Sequence, residues 1–364
     1  METLLIAGEP SGDLHGSYLI REFKKRGNFS FWGIGGVKMA EQGMDVVFPM
    51  NRLSIFGFIE VVKKINDVNT AREILISRIN RKKPDFAVLI DFPGFNISLA
   101  HFLKSKGIPV FYFITPQVWA WGGWRIKQIR KYFDHLFVVL PFEEKFFREN
   151  NIPATFVGHP LIDIVKPRDN NPIPKNVRNK KVIALLPGSR TSEIKRLLKP
   201  MVASLEIIRG FLDVTGVIVL NTDENLLTAR EIIGKNDDII LKKGHTYDIL
   251  SIADAAVITS GTATLEAAII GTPMVVVYKL SALSYILAKL LAKIKYISLV
   301  NLILNKELVP ELIQSRVTSE SICRELMDVI KRSSEIKEGY SMLRNKLGIG
   351  GAFRRTVDGI LCRI

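Results

Sequence analysis

The sequence predicts an α/β protein made of two doubly wound domains with parallel sheets, and three observations lead to this prediction. The chain has 364 residues, and because domains of about 100 to 200 residues are usual, this length favours two domains. Short apolar runs of strand length alternate with longer segments of helical periodicity, which is typical of parallel sheets with connecting helices. A polar stretch rich in Pro and Asn, residues 166–181, interrupts the alternation and is interpreted as the interdomain linker.

The predicted strands are apolar along their whole length, as expected where helices cover both faces of a sheet. The first domain, residues 1–165, has strands predicted at Thr3–Ala7, Phe86–Ile90, Val110–Ile114, Leu136–Leu140 and Thr155–Val157. The second domain, residues 182–340, has strands predicted at Val182–Leu186, Val217–Leu220, Ile239–Lys242, Ala255–Thr259 and Met274–Tyr278. Residues 341–364 are expected to form a C-terminal helix that returns toward the first domain. Open α/β sheets bind ligands at the carboxyl ends of their strands, so a ligand cleft is expected where two such domains face one another.

The composition is that of an ordinary folded protein, with 47% hydrophobic and 24% charged residues, which excludes disordered and collagen-like chains. The 51 Lys and Arg against 36 Asp and Glu give a net charge of +15, which predicts attraction to nucleic acid, phosphorylated small molecules or a membrane surface. Cys323 and Cys362 have no ligand spacing and the histidines form no ligand pair, so no disulfide framework and no metal site are predicted. A reducing, cytosolic compartment fits best.

No targeting segment and no transmembrane helix are predicted. The first apolar run lacks a basic leader and is too short for a signal-peptide core, and the most apolar stretch, Ser281–Leu304, is interrupted by three lysines and therefore falls short of a membrane span. Within it, residues 281–297 are predicted either as an amphipathic helix on an anionic membrane surface or as a helix of the second domain's core. Leu53–Val62 is a second apolar candidate for contact with acyl chains or a bilayer.

Two glycine-rich motifs follow the start of the first domain. Gly8–Asp13 (GEPSGD) comes directly after the first strand, and either its backbone amides approach a phosphate or sugar, or it is a turn in which Asp13 caps a helix that begins near Leu14. Gly33–Gly36 (GIGG) is interpreted as a second glycine-rich bend.

Two further motifs of the first domain carry chemistry. Asp91–Asn96 (DFPGFN) places a carboxylate at the end of a buried strand, where desolvation would strengthen it as a general base, although capping of the next helix is the alternative. Pro116–Trp121 (PQVWAW) supplies tryptophans ahead of a basic segment that starts at Arg125. Aromatic faces suit a sugar ring and basic side chains suit an anion, whereas the alternative is a packed aromatic loop before a solvated helix.

The second domain contains two candidate phosphate-binding segments. Leu186–Arg190 (LPGSR), with Glu193 one helical turn beyond, is typical of an anion site at a helix start. Ser260–Glu266 (SGTATLE) precedes an alanine-rich helix, and its small residues would let a diphosphate approach the backbone while Glu266 accepts hydrogen bonds from ribose hydroxyls. The alternative for this segment is a capping box.

With these segments in this order, the chain resembles the lipid-A-disaccharide synthase family of glycosyltransferases. Eight motifs spread over almost the whole chain carry the resemblance: GEPSGD, GIGG, DFPGFN, PQVWAW, VGHPLID (Val157–Asp163), LPGSR with Glu193, SGTATLE and VPELIQ (Val309–Gln314). One departure is that Val300 stands before Asn301, where such sequences often have proline.

The resemblance implies the GT-B fold, in which two Rossmann-like domains face across a cleft, and an inverting enzyme that needs neither a catalytic metal nor a cofactor. It implies condensation of UDP-2,3-diacylglucosamine with 2,3-diacylglucosamine 1-phosphate to give a β-1,6-linked disaccharide 1-phosphate and UDP, with peripheral attachment to the cytoplasmic face of the inner membrane. Asp91 is the implied base for the acceptor 6-hydroxyl. The implied substrate-binding residues are Ser11, Gly12, Asp13, Asn96, Trp119, Arg125, Asn301, Glu311 and Gln314. The implied nucleotide-binding residues are Gly188, Ser189, Arg190, Glu193, Ser260, Gly261, Thr262, Thr264 and Glu266.

Two other hypotheses remain open at this point. Another GT-B enzyme that uses a UDP-sugar, such as a murein glycosyltransferase or a sugar 2-epimerase, would turn over non-acylated UDP-N-acetylglucosamine. A non-catalytic module that binds sugar nucleotides would show no turnover. Nucleic-acid binding is not predicted, because the basic residues are spread along the chain and no nucleic-acid-binding motif is present.

Overall fold

The structure is a computed structural model that describes residues 1–53, 60–120, 122–168, 173–174, 179–234, 236, 238–281 and 295–364, with side chains of residues 60–65 left out. Contacts divide the chain into two units: the first comprises residues 1–160 and 347–364, and the second comprises residues 161–346. The stretch predicted as a linker, residues 166–181, thus falls within the second unit. Of the predicted C-terminal segment, residues 347–364 belong to the first unit.

The first unit contains one seven-stranded parallel sheet in the order β3-β2-β1-β4-β5-β6-β7. Its strands are β1 (Glu2–Ala7), β2 (Ser30–Gly35), β3 (Asp45–Pro49), β4 (Phe86–Ile90), β5 (Val110–Phe113), β6 (His135–Val138) and β7 (Ala154–Phe156). Its first six helices are α1 (Pro10–Lys24), α2 (Val37–Glu41), α3 (Glu60–Arg81), α4 (Pro93–Ser105), α5 (Ile126–Tyr132) and α6 (Glu143–Glu149). The strand order reverses between β1 and β4, so the carboxyl ends of these two strands flank the topological switch point, where such sheets bind ligands.

Both faces of this sheet are covered, which explains why its central strands are apolar throughout. Leu4 of β1 and Leu89 of β4 belong to a buried cluster that includes Leu75 of α3. On the other face, Phe86 lies against Phe23 of α1, with ring centroids 5.7 Å apart. All five residues are fully buried. Because both faces of the sheet are covered, its central strands do not alternate polar and apolar residues.

Two local predictions for the first unit are wrong. The GIGG motif is not a bend, because Gly33 lies inside β2 with φ 143°, where an added Cβ would be 2.1 Å from the Leu5 carbonyl oxygen. Glycine is therefore required for β2 to pair closely with β1. Helix α1 begins at Pro10 rather than near Leu14, since proline at the first helical position has its φ already fixed for a helix.

The second unit contains a six-stranded parallel sheet in the order β10-β9-β8-β11-β12-β13. Its strands are β8 (Lys181–Leu186), β9 (Val214–Leu220), β10 (Ile239–Lys243), β11 (Ala255–Thr259), β12 (Met274–Tyr278) and β13 (Glu311–Ile313). Its helices are α7 (Leu161–Ile164), α8 (Thr191–Arg209), α9 (Asp223–Ile233), α10 (Thr246–Ile252), α11 (Thr262–Ile270), α12 (Leu299–Leu304), α13 (Ser319–Lys331) and α14 (Ser333–Leu347). The switch point lies between β8 and β11. The predicted fold class, two doubly wound parallel-sheet domains, is confirmed.

The last segment of the chain completes the first unit. Helix α15 (Ala352–Leu361) packs on α1, and the Phe353 ring stacks on Tyr18 with centroids 5.0 Å apart. Arg355 donates two hydrogen bonds to the Val157 carbonyl oxygen, at 2.8 and 2.6 Å. The segment after α14 is therefore held by both aromatic packing and hydrogen bonds.

Two segments proposed from sequence for contact with lipid lie mainly outside the described residues. Of residues 281–297, positions 282–294 are not described, and of residues 53–62, positions 54–59 are not described. Trp121 of the PQVWAW motif is also outside the described residues. Among the helices that the structure does describe, none combines the length and the apolar character needed to cross a membrane.

Candidate functional site

Asp91 occupies the carboxyl end of β4 in a strained backbone conformation. Both Asp91 (φ 46°) and Phe92 (φ 49°) are in the left-handed region, which costs a non-glycine residue about 1 to 3 kcal/mol. The fully buried side chains of Asn96 and Tyr112 donate hydrogen bonds to the Asp91 carbonyl oxygen, at 2.6 and 2.7 Å. These two bonds hold the peptide in a conformation that it would not adopt unaided.

The Asp91 carboxylate is more basic than an ordinary aspartate. Burial and the negative charge of Glu9 together raise the pKa of Asp91 to about 6, although a hydrogen bond with the Phe92 backbone opposes them. Because this pKa lies near neutrality, Asp91 is mostly ionised at pH 7 yet accepts a proton readily, as a general base must.

The ends of β1 and β4 approach closely at the switch point. A Cβ added to Gly8 would lie 2.3 Å from the Phe92 ring, so glycine is needed there. The approach brings Glu9, the exposed residue that precedes α1, into electrostatic contact with Asp91. Ser11 is exposed in the first turn of α1, whereas Gly12 is buried against Ala7. Glu9 and Tyr112 were missed as site residues, although Glu9 is part of GEPSGD.

Asp13 makes its contacts within the protein. It is 3% exposed, and its carboxylate accepts hydrogen bonds from the backbone amides of Gly36, Lys38 and Met39, at 2.8 to 3.1 Å. The predicted cap at the start of its own helix is therefore wrong, because α1 begins three residues earlier. Asp13 instead joins α1 to the first turn of α2.

Trp119 is held by a buried acid that sequence analysis missed. The Trp119 indole Nε1 donates to Glu143 Oε1 at 3.0 Å, and Glu143 also accepts from the amides of Leu140 and Val139, at 3.0 and 3.3 Å. Burial raises the pKa of Glu143 to about 7 despite these hydrogen bonds. Glu143 thereby ties the loop after β5 to the loop after β6. Its position at the start of the helix that follows an apolar strand was the available signal.

Arg125, the remaining predicted substrate-binding residue of the first unit, ends a short 3-10 helix, Gly123–Arg125. Its guanidinium carbon lies 5.1 Å from the ring centroid of Trp124. The side chain is therefore steadied by a cation–π contact.

The LPGSR segment forms an anion site that the protein's own carboxylate occupies. Gly188 has φ 117°, and a Cβ there would lie 2.3 Å from Glu193 Oε2. The same oxygen accepts from the backbone amides of Ser189 and Arg190, at 3.1 and 3.2 Å, and Arg190 Nη1 donates to Glu193 Oε1 at 3.4 Å. The start of α8 thus already binds an anionic oxygen.

The SGTATLE segment follows β11 at the same switch point. Ser260 Oγ donates to the Ile297 carbonyl oxygen at 3.0 Å, and the fully buried Thr264 donates to the Gly261 carbonyl oxygen at 2.8 Å. These two hydroxyls therefore shape the loop, while Gly261 and Thr262 are exposed at the start of α11. Backbone amides at this helix start are the groups available to a ligand.

Glu266 is oriented by a partner from another helix. The Tyr247 hydroxyl of α10 donates to Glu266 Oε1 at 3.1 Å, and burial raises the pKa of Glu266. No side-chain cap hydrogen bond is made at the start of α11, so the capping-box alternative is wrong. Tyr247 carried no sequence signal, because its relation to Glu266 depends on the packing of α10 on α11.

Asn301 and Glu311 form a buried hydrogen-bond network. The Asn301 amide donates to Val309 O and Glu311 Oε1, at 2.8 and 2.9 Å, and accepts from the amides of Leu308 and Val309, at 2.8 and 3.1 Å. Glu311 also accepts from the backbone amides of residues 297 and 298, at 2.8 and 2.9 Å. The Asn301 side chain therefore fixes the segment after α12, and the Glu311 carboxylate fixes the segment before it.

Two neighbouring contacts complete this region. The Val300 amide donates to Ser298 Oγ at 3.1 Å, a bond that proline could not make. Gln314 Oε1 accepts from the Leu280 amide at 2.9 Å, so its side chain links the ends of β12 and β13.

Comparisons with known proteins agree along the chain. A family model described as lipid-A-disaccharide synthetase matches residues 3–349. The lipid-A-disaccharide synthase of Syntrophus aciditrophicus is 40% identical, with 97% of this chain and 95% of the relative covered. The enzyme of the same name from Myxococcus xanthus is 35% identical, with 98% and 96% covered.

Solved structures with low sequence identity share the fold. UDP-GlcNAc 2-epimerase from Neisseria meningitidis, bound to UDP-GlcNAc, has a TM-score of 0.70 at 14% identity, with both chains fully covered (100%). The glycotransferase of kitacinnamycin has a TM-score of 0.71 at 14% identity, with 100% of this chain and 98% of that chain covered. These likenesses show the two-domain, Rossmann-like GT-B fold. Together with the full-length sequence matches, they place the chain in the lipid-A-disaccharide synthase family, as a glycosyltransferase of lipid A disaccharide synthesis.

Proposed function

We propose that the protein transfers a diacylglucosamine unit from UDP-2,3-diacylglucosamine to the 6-hydroxyl of 2,3-diacylglucosamine 1-phosphate, with inversion. The acceptor oxygen forms a bond to the anomeric carbon while the bond from that carbon to the UDP oxygen breaks. The proton of the attacking hydroxyl passes to the protein, and UDP leaves with the bonding electrons. The products are a β-1,6-linked disaccharide 1-phosphate and UDP.

The observation that carries this proposal is the state of Asp91. A single displacement needs one base, and Asp91 combines a pKa of about 6 with a backbone that Asn96 and Tyr112 hold at the switch point. Glu9 serves this base through its charge, because a nearby negative charge disfavours the ionised carboxylate and so strengthens its affinity for a proton.

In this proposal the second unit binds UDP through the amides of residues 188–190 and 261–262. The oxygen of Glu193 marks where a diphosphate oxygen would sit, since it already accepts from the amides of Ser189 and Arg190. Arg190 would offset charge on the leaving diphosphate, which supports departure of UDP without a metal ion. The fold likeness to a protein solved with UDP-GlcNAc bound supports a UDP-sugar as the donor.

The donor and acceptor are lipids, so the proposal includes peripheral attachment to the cytoplasmic face of the inner membrane. The net charge of +15 supports this part, because anionic lipids attract basic surfaces over about 10 Å at 0.1 M salt.

The test is to incubate the purified protein with both diacylglucosamine substrates and to identify products by mass spectrometry, with NMR to assign the anomeric linkage. We expect a disaccharide 1-phosphate and an equal amount of UDP. A parallel reaction with UDP-N-acetylglucosamine in place of the acylated donor serves as the control. Turnover of that non-acylated donor alone would favour an epimerase or murein-type enzyme, and binding without turnover would favour a non-catalytic module.

A further inference from the structure

One stretch of the first unit departs from the even spread of charge along the chain. Between Asp91 and Asp134 the sequence has six basic residues and no Asp or Glu. The six basic residues are Lys104, Lys106, Arg125, Lys127, Arg130 and Lys131. They lie at the end of α4 and in the segment that leads into and through α5.

Helices α4 and α5 pack on one another, so these charges share one surface. The His101 ring of α4 lies 4.8 Å from the Tyr132 ring of α5, measured between centroids, and Lys104 forms an ion pair with Asp134 just beyond α5. We name the exposed side of this helix pair, with the adjoining Trp124, the α4–α5 surface.

The α4–α5 surface carries uncompensated positive charge. Lys106, Lys127, Arg130 and Lys131 are exposed, and none of them forms an ion pair with any residue that the structure describes. Asp134, the acid that ends this stretch of the sequence, is already paired with Lys104. Four cations on one side of a helix pair therefore attract anions without competition from local carboxylates.

Aromatic rings lie among these cations. The Trp124 side chain is 64% exposed, an unusual position for a large apolar group. The ammonium groups of Lys106 and Lys131 lie over the rings of Phe102 and Tyr132, at 5.4 and 5.5 Å from the centroids. An exposed tryptophan beside long basic side chains suits the boundary between lipid headgroups and acyl chains, where indole rings and basic side chains are both favoured.

We propose that the α4–α5 surface docks on an anionic phospholipid bilayer. This inference rests on the proposed function, because lipid substrates bring the protein to a membrane. The cations supply the attraction to phosphate headgroups, and Trp124 supplies insertion at the interface. A lipid surface fits better than a nucleic acid, since Phe102 and Tyr132 are half-buried beneath lysines. Of these two rings and Trp124, Trp124 alone is open for base stacking.

The test measures binding to vesicles of equal parts phosphatidylglycerol and phosphatidylcholine by co-sedimentation. The variant Lys127→Gln with Arg130→Gln and Lys131→Gln should bind about 100-fold more weakly at low salt, because each cation near an anionic surface contributes roughly a fivefold factor. Trp124→Ser should weaken binding about tenfold, through loss of apolar burial. The matched control changes Arg324, Lys331 and Lys337, three exposed basic residues of α13 and α14, to Gln, and should bind like the parent.

The two triple variants are compared with the parent by thermal unfolding and by turnover of detergent-dispersed substrates, and we expect both measurements to be unchanged. Trp124→Ser is compared by thermal unfolding alone, because Trp124 contacts Arg125. Equal losses of vesicle binding in the α4–α5 variant and the control variant would overturn the proposal, as would parental binding by the α4–α5 variant. A variant that loses binding to polyuridylic acid but not to vesicles would also overturn it and indicate RNA. Absence of turnover on dispersed substrates by the parent would instead contradict the proposed function, and vesicle binding would still decide this inference.

Discussion

Acidic side chains at the carboxyl edges of the two sheets lie in contrasting surroundings, as Asp91 of the first sheet and Glu193 and Glu311 of the second sheet show. On the first sheet, burial and the charge of Glu9 raise the pKa of Asp91, and its one backbone hydrogen bond only partly offsets this rise. On the second sheet, Glu193 accepts hydrogen bonds from two backbone amides and the Arg190 guanidinium. Glu311 accepts hydrogen bonds from two backbone amides and the Asn301 side chain. Asp91 is thus kept ready for a proton, whereas Glu193 and Glu311 fix loops, as Asp13 and Glu143 do in the first unit.

This difference shows how one architecture serves two tasks. A base is useful only if its charge is poorly satisfied before reaction, and a binding site is useful only if its donors are already ordered. The strained backbone and buried charge at Asp91 therefore destabilise the first unit, whereas the hydrogen bonds around Asn301 stabilise the second unit. Substitutions at the two edges should accordingly have opposite effects on stability.

The largest expected effect follows from Asp91→Asn. We expect turnover to fall by about 100 to 10,000-fold, the usual contribution of a general base. UDP affinity, measured by calorimetry, should stay within a factor of about two, because the residues assigned to UDP are in the second unit. In the parent, kcat/KM should fall as pH decreases below about 6, because Asp91 becomes protonated there. Retention of nearly full turnover would remove Asp91 from the role of base.

The same variant tests the sign of the stability effect. A carboxyl group whose pKa is raised from 3.8 to about 6 in the folded state binds its proton more tightly when folded, so it destabilises the protein as pH rises through that window. Asp91→Asn should therefore increase the free energy of unfolding above pH 6 by about 1 to 3 kcal/mol and have no such effect below pH 4. Chemical denaturation at the two pH values measures this difference.

Asn301→Ala should have the second-largest effect and the opposite sign. The change leaves the amides of Leu308 and Val309 without their acceptor and removes one of the two donors to Glu311 Oε1, so we expect a loss of about 2 to 4 kcal/mol in unfolding free energy. Ser298→Ala, which removes a weaker local cap, is the comparison and should cost about 1 kcal/mol. Unchanged stability with lost turnover would indicate that Asn301 contacts substrate instead of bracing the loop.

Arg190→Ala should weaken UDP binding by about 10 to 100-fold, the range for a lost charge-assisted hydrogen bond. Uridine, which lacks the diphosphate, should bind the variant and the parent alike in calorimetry. Arg196, an exposed arginine on the next turn of α8, provides the control, and its replacement by Ala should change neither affinity. An equal loss for UDP and uridine would place Arg190 away from the diphosphate.

Tyr247→Phe should give the smallest effect, about a three- to tenfold loss of UDP affinity. The variant removes the hydroxyl that orients Glu266, and one neutral hydrogen bond contributes about 1 kcal/mol. If Glu266 binds ribose, the loss should disappear with 2′,3′-dideoxy-UDP, which has no ribose hydroxyls. The same loss with both nucleotides would show that Tyr247 acts through loop structure alone.

The parts of the fold that sequence analysis predicted are those determined by burial. Strands such as β4 and β8 are continuously apolar because both of their faces are covered. The missed strands lack that signal: β2 contains two glycines, β3 is half-exposed, and β13 has only three residues. Their places depend on pairing with neighbouring strands, which local sequence does not encode.

The surroundings of a candidate site residue were predictable where they follow from its place at the end of a strand. Asp91 met that condition, and its raised pKa agrees with the desolvation expected there. Asp13, Asn96 and Asn301 did not, because their partners are backbone groups brought close by folding, as in the hydrogen bond from the Gly36 amide to Asp13. The polar residue type alone could not distinguish a ligand contact from a brace.

The attachment of residues 347–364 to the first unit also sets an order of assembly. The second unit is one continuous stretch, residues 161–346, inserted between the two parts of the first. During translation the second unit is synthesised, and most of it leaves the ribosome, before Phe353 and Arg355 emerge. It can therefore begin to fold while the face of α1 that receives α15 is still uncovered. The unit that carries Asp91 begins the chain, yet it is completed after the unit that carries Arg190.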